Sequence, residues 1–211
     1  KLLLCGAACS AVFGGEARFA EFFRDNMVLQ SGVKVPVWGY GEPGSKVELS
    51  LLTAIFDENG MSLLNMPPYI GKVDDSGRWQ ININPSAPGG QSVLMLRVDD
   101  SENSKIEHVV FGDVFLFIGG AELERRTVAS ADTVKLLRES RIADLRLLKI
   151  GDDWAAEPQM VLPGEWKRSD PRNAAVFSNI AYTCGVDLCR RLKYPVGIIA
   201  ADFPGIPVSA W

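Results

Sequence analysis

A short apolar run that ends in two glycines constrains the fold of this chain more than any other feature. Val114–Ile118 is almost continuously apolar, and Gly119-Gly120 and then Ala121-Glu122-Leu123 follow it. A run of this kind is typical of a strand buried on both faces of a parallel sheet, and the glycines predict a tight bend before a helix. The sequence therefore predicts a strand–turn–helix unit of an α/β fold at this position.

The bend carries an alanine at the position where a nucleophilic residue would be expected. Many α/β hydrolases present a nucleophilic serine at such a bend, whereas Ala121 offers only a methyl group. The chain has 1 histidine, His108, and it precedes the strand. Hydrolysis through a serine needs a nucleophile, a base within hydrogen-bond reach and donors for the oxyanion. The sequence predicts the scaffold of such a site without its first two parts.

Composition bounds the classes of partner. The chain has 211 residues and a formal net charge of -4, with no basic stripe, which argues against nucleic acid as its main partner. No apolar run is long enough to predict a membrane span. Hydrophobic residues make up 47% of the chain, which suffices for one medium domain or two small ones.

The first residues have the pattern of a secretory signal peptide. Lys1 precedes an apolar stretch that reaches Phe13, and small residues follow at Gly15 and Ala17. We expect residues 1–17 to be a signal peptide and the protein to be secreted, the alternative being a buried first strand or helix.

Residues 18–110 have the pattern of an antiparallel β-sandwich. Short segments that alternate or are rich in β-formers are separated by turn residues, namely Val33–Trp38, Lys46–Leu51, Arg78–Ile83 and Ser92–Val98. Residues 57–68 are predicted to form a long loop. Short strands at this spacing, without a helical period, predict a sandwich, with Trp38 and Trp79 more often core than surface in such folds.

Residues 111–211 have a different pattern, in which strands alternate with helices. Further strands are predicted at Leu145–Ile150 and Pro195–Ala200, with helices over 131–141 and from a cap at Asn173 to Leu192. The order βαβαβ predicts a partial, doubly wound α/β/α domain with right-handed crossovers. The predicted fold is therefore α/β plus all-β.

Several stretches together resemble one family, the sialate O-acetylesterases of the SGNH hydrolase group. The stretches keep the family's order along the chain, and they are Asp25–Gln30, Pro36–Gly39 with Glu42–Gly44, Trp79 with Pro88–Gly90, Phe111–Leu116, Tyr194–Ile199 with Gly205–Pro207, and Ala210-Trp211. The resemblance implies an N-terminal sandwich followed by an SGNH-like domain, a secreted or lysosomal location, a glycan or sialylated glycoconjugate as partner, and no metal or other cofactor.

The departures from the family fall on its active site. Ala121 stands where the family has its nucleophilic serine, and Glu122 stands where it has asparagine. Gly119 and Gly205 match and would be remnants of the oxyanion site, whereas Pro204 has no N–H to donate. The family's Asp-x-x-His element has no counterpart here. The resemblance thus implies an inactive homologue or a fragment; the alternatives are an active carbohydrate O-acetylesterase with an incomplete or faulty sequence, or a secreted carbohydrate-binding module.

Two carboxylates are predicted in the crevice where the active site would lie. Glu122 follows the first parallel strand and Asp202 follows the third, and these strands are neighbours in the family's order. The carboxyl ends of such strands form the ligand-binding crevice of a doubly wound sheet. The alternative is that each side chain caps a helix. The functional interpretation is an acidic pocket for a cation or an amino group.

Overall fold

The computed structural model of this protein describes residues 17–57, 60–99, 101–150 and 164–202. Within them, the strands are β1 (Arg18–Phe19), β2 (Val28–Gln30), β3 (Val35–Tyr40), β4 (Lys46–Asp57), β5 (Gly60–Asn65), β6 (Tyr69–Lys72), β7 (Arg78–Ile83), β8 (Gly89–Val98), β9 (Ser101–Gly119), β10 (Leu145–Ile150), β11 (Lys167–Arg168) and β12 (Val196–Asp202). The helices are α1 (Ala121–Glu124), a 3-10 turn at Thr127–Ala129, α2 (Thr133–Arg138), α3 (Pro171–Val176) and α4 (Asn179–Leu192). The described part is a mixed, sheet-dominated α/β structure.

The N-terminal strands belong to two sheets that share a buried cluster. One sheet has the order β1-β3-β7, and the other begins at its far edge with β5-β4-β8-β9. Along β7 the side chains alternate between exposed and buried, as the sequence predicts, and Trp79 is 1% exposed. Trp79 packs edge-on against Phe19, while half-buried Trp38 stacks on Phe22. The two tryptophans therefore lie in or against the core.

Strand β9 connects the two halves of the molecule. Its first part pairs antiparallel with β8, and its last part pairs parallel with β12, from Asp113 opposite Val196 to Gly119 opposite Asp202. The larger sheet continues through β12 to β10 and β11. Because β9 runs across residues 110 and 111, the predicted domain boundary falls inside one strand, and the division into two domains stays a prediction.

The order of the parallel strands confirms one prediction and corrects another. The first and third strands, β9 and β12, are neighbours as expected. The strand at Val114–Ile118, however, is not buried on both faces within the described residues. Phe115 and Phe117 pack with the helices, but Leu116 and Ile118 on the other face are 56% and 49% exposed. The prediction of two-sided burial is therefore wrong for these two side chains.

The predicted loop over residues 57–68 is wrong. Gly60–Asn65 instead forms β5, which pairs antiparallel with the end of β4. All six residues of β5 are exposed, so the strand shows none of the alternation by which a half-buried strand is recognised.

Helix α4 begins later than predicted, and the face that it turns to the sheet is not the one predicted from the apolar spacing of Ile180, Ala181, Cys184 and Leu188. The chain first forms α3, capped by Asp170 rather than Asn173, and Phe177 ends it. Ser178 then caps α4. The buried face contains Gly185, where an added Cβ would lie 2.8 Å from Ile198 Cγ1. This close approach of helix and sheet rotates α4 so that Ile180 is 47% exposed.

None of the helices in the described ranges is long and apolar enough to cross a membrane.

Candidate active-site position

The bend after β9 has the predicted strand–turn–helix form. Strand β9 ends at Gly119, Gly120 caps α1, and the N–H of Leu123 donates to the carbonyl of Gly120 at 3.0 Å. Leu123 is 6% exposed and joins the cluster between the helices and the sheet, which anchors the turn. Ala121 is exposed on the first turn of α1. Ala121, at the position predicted for a nucleophile, is therefore accessible and carries no reactive atom.

Asp202 lies beside this bend and is paired with a lysine that the sequence did not single out. It ends β12 opposite Gly119 and is 2% exposed. Its Oδ2 lies 2.9 Å from Lys149 Nζ on the neighbouring strand β10. Its Oδ1 is buried without a hydrogen-bond partner among the described residues. A lysine near the carboxyl end of the predicted strand Leu145–Ile150 was the signal that could have predicted this ion pair.

Glu122 differs from Asp202 in its surroundings. Its side chain is exposed in the first turn of α1. Both carboxylates follow the carboxyl ends of neighbouring strands, as predicted, but Lys149 already places a positive charge against Asp202. An acidic pocket shared by Glu122 and Asp202 stays a prediction. Gly205, the other candidate oxyanion residue, lies outside the described residues.

A small cavity of about 230 Å³ opens on the same face of the sheet as Lys149. Its wall includes Leu147 and Phe177 as well as the polar side chains of Glu165 and Lys167. Lys167 forms a short ion pair with Glu165. Because both lysines of this cavity have carboxylate partners, its charges are balanced. In the part of the chain that the structure describes, no group of three or more His, Cys, Asp or Glu side chains could hold a metal ion.

The groups that could replace the missing nucleophile or base lie elsewhere or are already engaged. His108 belongs to the antiparallel part of β9 and shares a short hydrogen bond with Gln91 on β8. It precedes Gly119 by roughly 36 Å of extended strand, at ~3.3 Å per residue. Ser178 is buried and its Oγ accepts the N–H of Ala181, while Ser130 accepts the N–H of Asp132. None of these groups is positioned to act at Ala121.

Residues from the family-like stretches meet in one hydrogen-bonded network, away from the bend. Gln30 on β2 donates to Asp113 Oδ1 at 2.9 Å and accepts the N–H of Val114. The hydroxyl of Tyr194, just before β12, donates to Asp113 Oδ2 at 2.8 Å. This hydrogen bond to Asp113 raises the pKa of Tyr194. These three side chains join β2, β9 and β12, so their role in the described structure is architectural.

Comparison with known proteins finds sialate O-acetylesterases among those similar to this chain. Sialate O-acetylesterases of Pongo abelii and Homo sapiens are each 25% identical over 207 residues, which is 92% of this chain and 38% of the relative. The sialate O-acetylesterase of Rattus norvegicus is 25% identical over 223 residues, which covers 100% of this chain and 40% of the relative. No protein-family model matches the chain.

A solved structure shows the same likeness in three dimensions. The crystal structure of a carbohydrate acetylesterase from Xanthomonas citri superposes with a TM-score of 0.77 at 27% identity, over 92% of this chain and 42% of that one. The chain thus spans well under half the length of the proteins that it matches. Its sequence and fold agree with theirs over almost all of that span. Over most of its length the chain is therefore similar to sialate O-acetylesterases in sequence and to a carbohydrate acetylesterase in fold.

Proposed function

We propose that this chain is a non-hydrolytic member of its family, which keeps the fold of a carbohydrate O-acetylesterase without the ester-cleaving chemistry at the family's nucleophile position. The proposal includes the finer architecture expected from the sequence, an N-terminal sandwich followed by part of an SGNH-like domain. The similarity to carbohydrate esterases supports a glycan, in particular a sialylated one, as the natural partner.

The single observation that carries the proposal is Ala121. It occupies the first turn of α1, directly after the Gly-Gly bend that ends β9. Attack on an ester carbonyl requires a lone pair on an oxygen, sulfur or nitrogen atom, and a methyl group has none. This argument is internal to the chain, so it holds whatever residues adjoin the sequence in the natural protein.

The charges around the bend support the proposal. An acyl-transfer site needs hydrogen-bond donors directed at the developing oxyanion. Here the exposed carboxylate of Glu122 follows Ala121 directly, and the buried carboxylate of Asp202 lies on the strand next to Gly119. Negative charge near a developing oxyanion raises the barrier to its formation. The ammonium of Lys149 offsets this only at Asp202, to which it is already bound.

Likeness over 92% of the chain to named esterases supports the second candidate, an esterase that cleaves carbohydrate acetyl groups. That candidate needs another nucleophile within reach of the crevice. Ser178 and Ser130 do not meet the requirement, because their hydroxyl oxygens serve a helix cap and a turn. The proposal of a non-hydrolytic protein therefore has stronger support than the esterase candidate.

Secretion is the remaining part of the proposal, and it depends on the signal-peptide pattern of residues 1–17. Expression of the chain in a eukaryotic secretory cell line tests it directly. We expect the protein in the medium with a mature N-terminus near residue 18. Retention inside the cell with an uncleaved N-terminus would contradict it.

Acetate release from O-acetylated sialic acid tests the proposed loss of chemistry. The chain and an active carbohydrate acetylesterase are assayed in parallel at equal concentration. We expect the chain to release no more acetate than an unrelated protein. Release well above that background, proportional to the amount of chain added, would overturn the proposal and favour the esterase candidate.

A further inference from the structure

A second cleft lies at the opposite edge of the parallel strands from Ala121. It has a volume of about 740 Å³ and opens between the start of β8 and the amino ends of β10 and β12. Gly89 and Gly90 form one side, and the other side contains Arg146 near the start of β10 and Pro195 before β12. The volume is within the range of small-molecule sites. The cleft shares no residue with the bend after β9.

Three arginines line this cleft: Arg141, Arg146 and Arg168. Within the described ranges, none of them forms an ion pair with a carboxylate. Arg146 is 4% exposed, and its Nη1 donates only to the main-chain carbonyls of Ala143 and Leu145. Its Nε is buried and has no partner among the described residues. Arg168 donates through Nε to the amide oxygen of Asn26 at 3.0 Å. Their positive charge is therefore not neutralised by direct pairing.

The acidic residues of the cleft do not supply the missing pairing. Asp170 Oδ1 accepts the main-chain N–H groups of Arg172 and Asn173 at 2.8 Å each. Its Oδ2 accepts the side-chain amide of Asn173, so Asp170 is engaged in capping α3. Asp144 lies exposed at the rim of the cleft. One rim carboxylate and one capping carboxylate thus face three guanidinium groups.

The surroundings of Arg146 compensate its charge only in part. Burial, and after it the charge of Arg168, lower the pKa of Arg146 to about 10, and Asp144 offsets only part of the effect. A buried guanidinium without an anionic partner is costly, because both its hydration and its pairing are missing. An anion bound between Arg146 and Arg168 would supply the pairing and the hydrogen-bond acceptors that the described residues do not.

We propose that this cleft binds a small oxyanion, a carboxylate or phosphate group carried by a polar molecule of about monosaccharide size. The planar guanidinium groups match the geometry of both oxyanions. Arg146 and Arg168 hold the oxyanion, and Arg141 lies where it can attract it from the rim. The site is independent of the proposed loss of ester hydrolysis, because the two lie at opposite edges of the sheet.

Calorimetric titration of the full chain tests the site with three probes: N-acetylneuraminate, its uncharged methyl ester and inorganic phosphate. We expect at least one anion to bind, and the methyl ester to bind at least about tenfold more weakly than the carboxylate if the carboxylate is the ligand. Binding of phosphate alone would support the site and assign it to phosphate-bearing ligands. Binding of neither anion, or equal binding of acid and ester without phosphate binding, would overturn the proposal.

Variants separate an anion site from a structural role. Arg168→Gln and Arg141→Ser change exposed side chains and should each weaken the anion severalfold, whereas Arg191→Met on the exposed face of α4 should have no effect. Arg146→Met should abolish the rise in melting temperature that the anion causes, without lowering the melting temperature of the anion-free chain. Unchanged binding in both Arg168→Gln and Arg141→Ser would contradict the site even if Arg146→Met failed to fold.

Discussion

At the scale of single residues, the bend after β9 has the supports expected of a nucleophile turn, and the residue exposed on it carries no reactive atom. Gly119, Gly120 and buried Leu123 hold the bend after β9 in place. Ala121 lies exposed on that bend.

Returning a serine to the bend should not restore hydrolysis. In Ala121→Ser the hydroxyl would be present, but the histidine of this sequence lies on the antiparallel part of β9, bound to Gln91. An unactivated serine loses most of the rate enhancement that a triad gives. We expect the variant to hydrolyse p-nitrophenyl acetate at the rate of the unchanged chain. A rise in rate that a serine-directed organophosphate abolishes would contradict this expectation.

Breaking the ion pair beside the bend should destabilise the fold. Lys149→Met leaves the carboxylate of Asp202, which is 2% exposed, without its partner at 2.9 Å. Because Lys149 is itself 40% exposed, we expect a loss of about 1–3 kcal/mol in the free energy of unfolding, less than for a fully buried pair. Urea denaturation measures it.

The matched controls for Lys149→Met are a double variant and a surface pair. Lys149→Met with Asp202→Leu removes both charges and should recover much of the loss. Arg191→Met breaks the exposed pair with Asp187 and should change stability by less than about 0.5 kcal/mol. Equal effects of the buried and the exposed pair would show that Asp202 is solvated in solution.

The two described cysteines should differ sharply in reactivity. Burial, together with the nearby charge of Asp144, raises the pKa of Cys189 to about 12, whereas Cys184 is exposed. At pH 8 we expect iodoacetamide to label Cys184 in minutes and Cys189 only on unfolding, as read by peptide mass mapping. Comparable labelling of both in the native chain would contradict the burial of Cys189.

The raised pKa of Cys189 should make the stability of the fold decrease at alkaline pH. In the unfolded chain the thiol of Cys189 ionises near pH 9.0, whereas in the folded chain it stays protonated up to about pH 12. Its contribution to stability is therefore complete below pH 9 and is lost as the pH rises from 9 to 12. Cys189→Ala should flatten the fall of stability in this range.

At the scale of elements, β9 is the strand on which the rest of the structure is assembled. Its side chains contribute to both buried clusters, and its main chain pairs with β8, β2 and β12. The point of exchange between partners is Gly112-Asp113, where Asp113 binds Gln30 and Tyr194. The N–H of Asp113 also donates to the carbonyl of Pro195 at 3.2 Å. The family-like stretches thus mark the joint between the two halves.

Adding a methyl group at this joint should be far more damaging than adding one at the bend. A Cβ on Gly112 would overlap the carbonyl group of Pro195, whereas the nearest atom to a Cβ on Gly120 is 3.9 Å away. We expect Gly112→Ala to lower the free energy of unfolding by at least about 2 kcal/mol. Gly120→Ala, the matched control, should change it by less than about 1 kcal/mol. Similar losses in both variants would refute the close approach of β9 to Pro195.

The strands were predictable from sequence where their pattern and their burial agree. Arg78–Ile83 alternates with one face buried, and Leu145–Ile150 is apolar and mostly buried, and both strands have the predicted bounds. Strand β5 was not predicted, because exposure of the residues on both faces removes the alternation of apolar and polar side chains. The buried face of α4 was not predicted, because close contact at Gly185 sets the rotation of the helix against the sheet. A glycine has no side chain and therefore does not appear in a pattern of apolar residues.

At the scale of the whole molecule, the two edges of the parallel sheet carry opposite charge. Glu122 and Asp202 lie at the carboxyl edge, and Arg141, Arg146 and Arg168 line the cleft at the amino edge. The order of the strands predicted that Glu122 and Asp202 lie at one edge, since both residues are at the carboxyl ends of neighbouring strands. The arginine cleft was not predictable, because its residues come from separate segments that only the folded chain brings together. Lys149 was missed, although its place near the end of a predicted strand was a usable signal.

Labelling with a fluorophosphonate probe tests the central claim most directly, because the probe forms a covalent bond only with an activated serine. The chain and an active carbohydrate acetylesterase are treated in parallel, and intact mass is measured. The account predicts one adduct per molecule on the active enzyme and none on this chain, with or without an O-acetylated sialoside present. A stoichiometric adduct on a serine of this chain, accompanied by loss of acetate release, would contradict it.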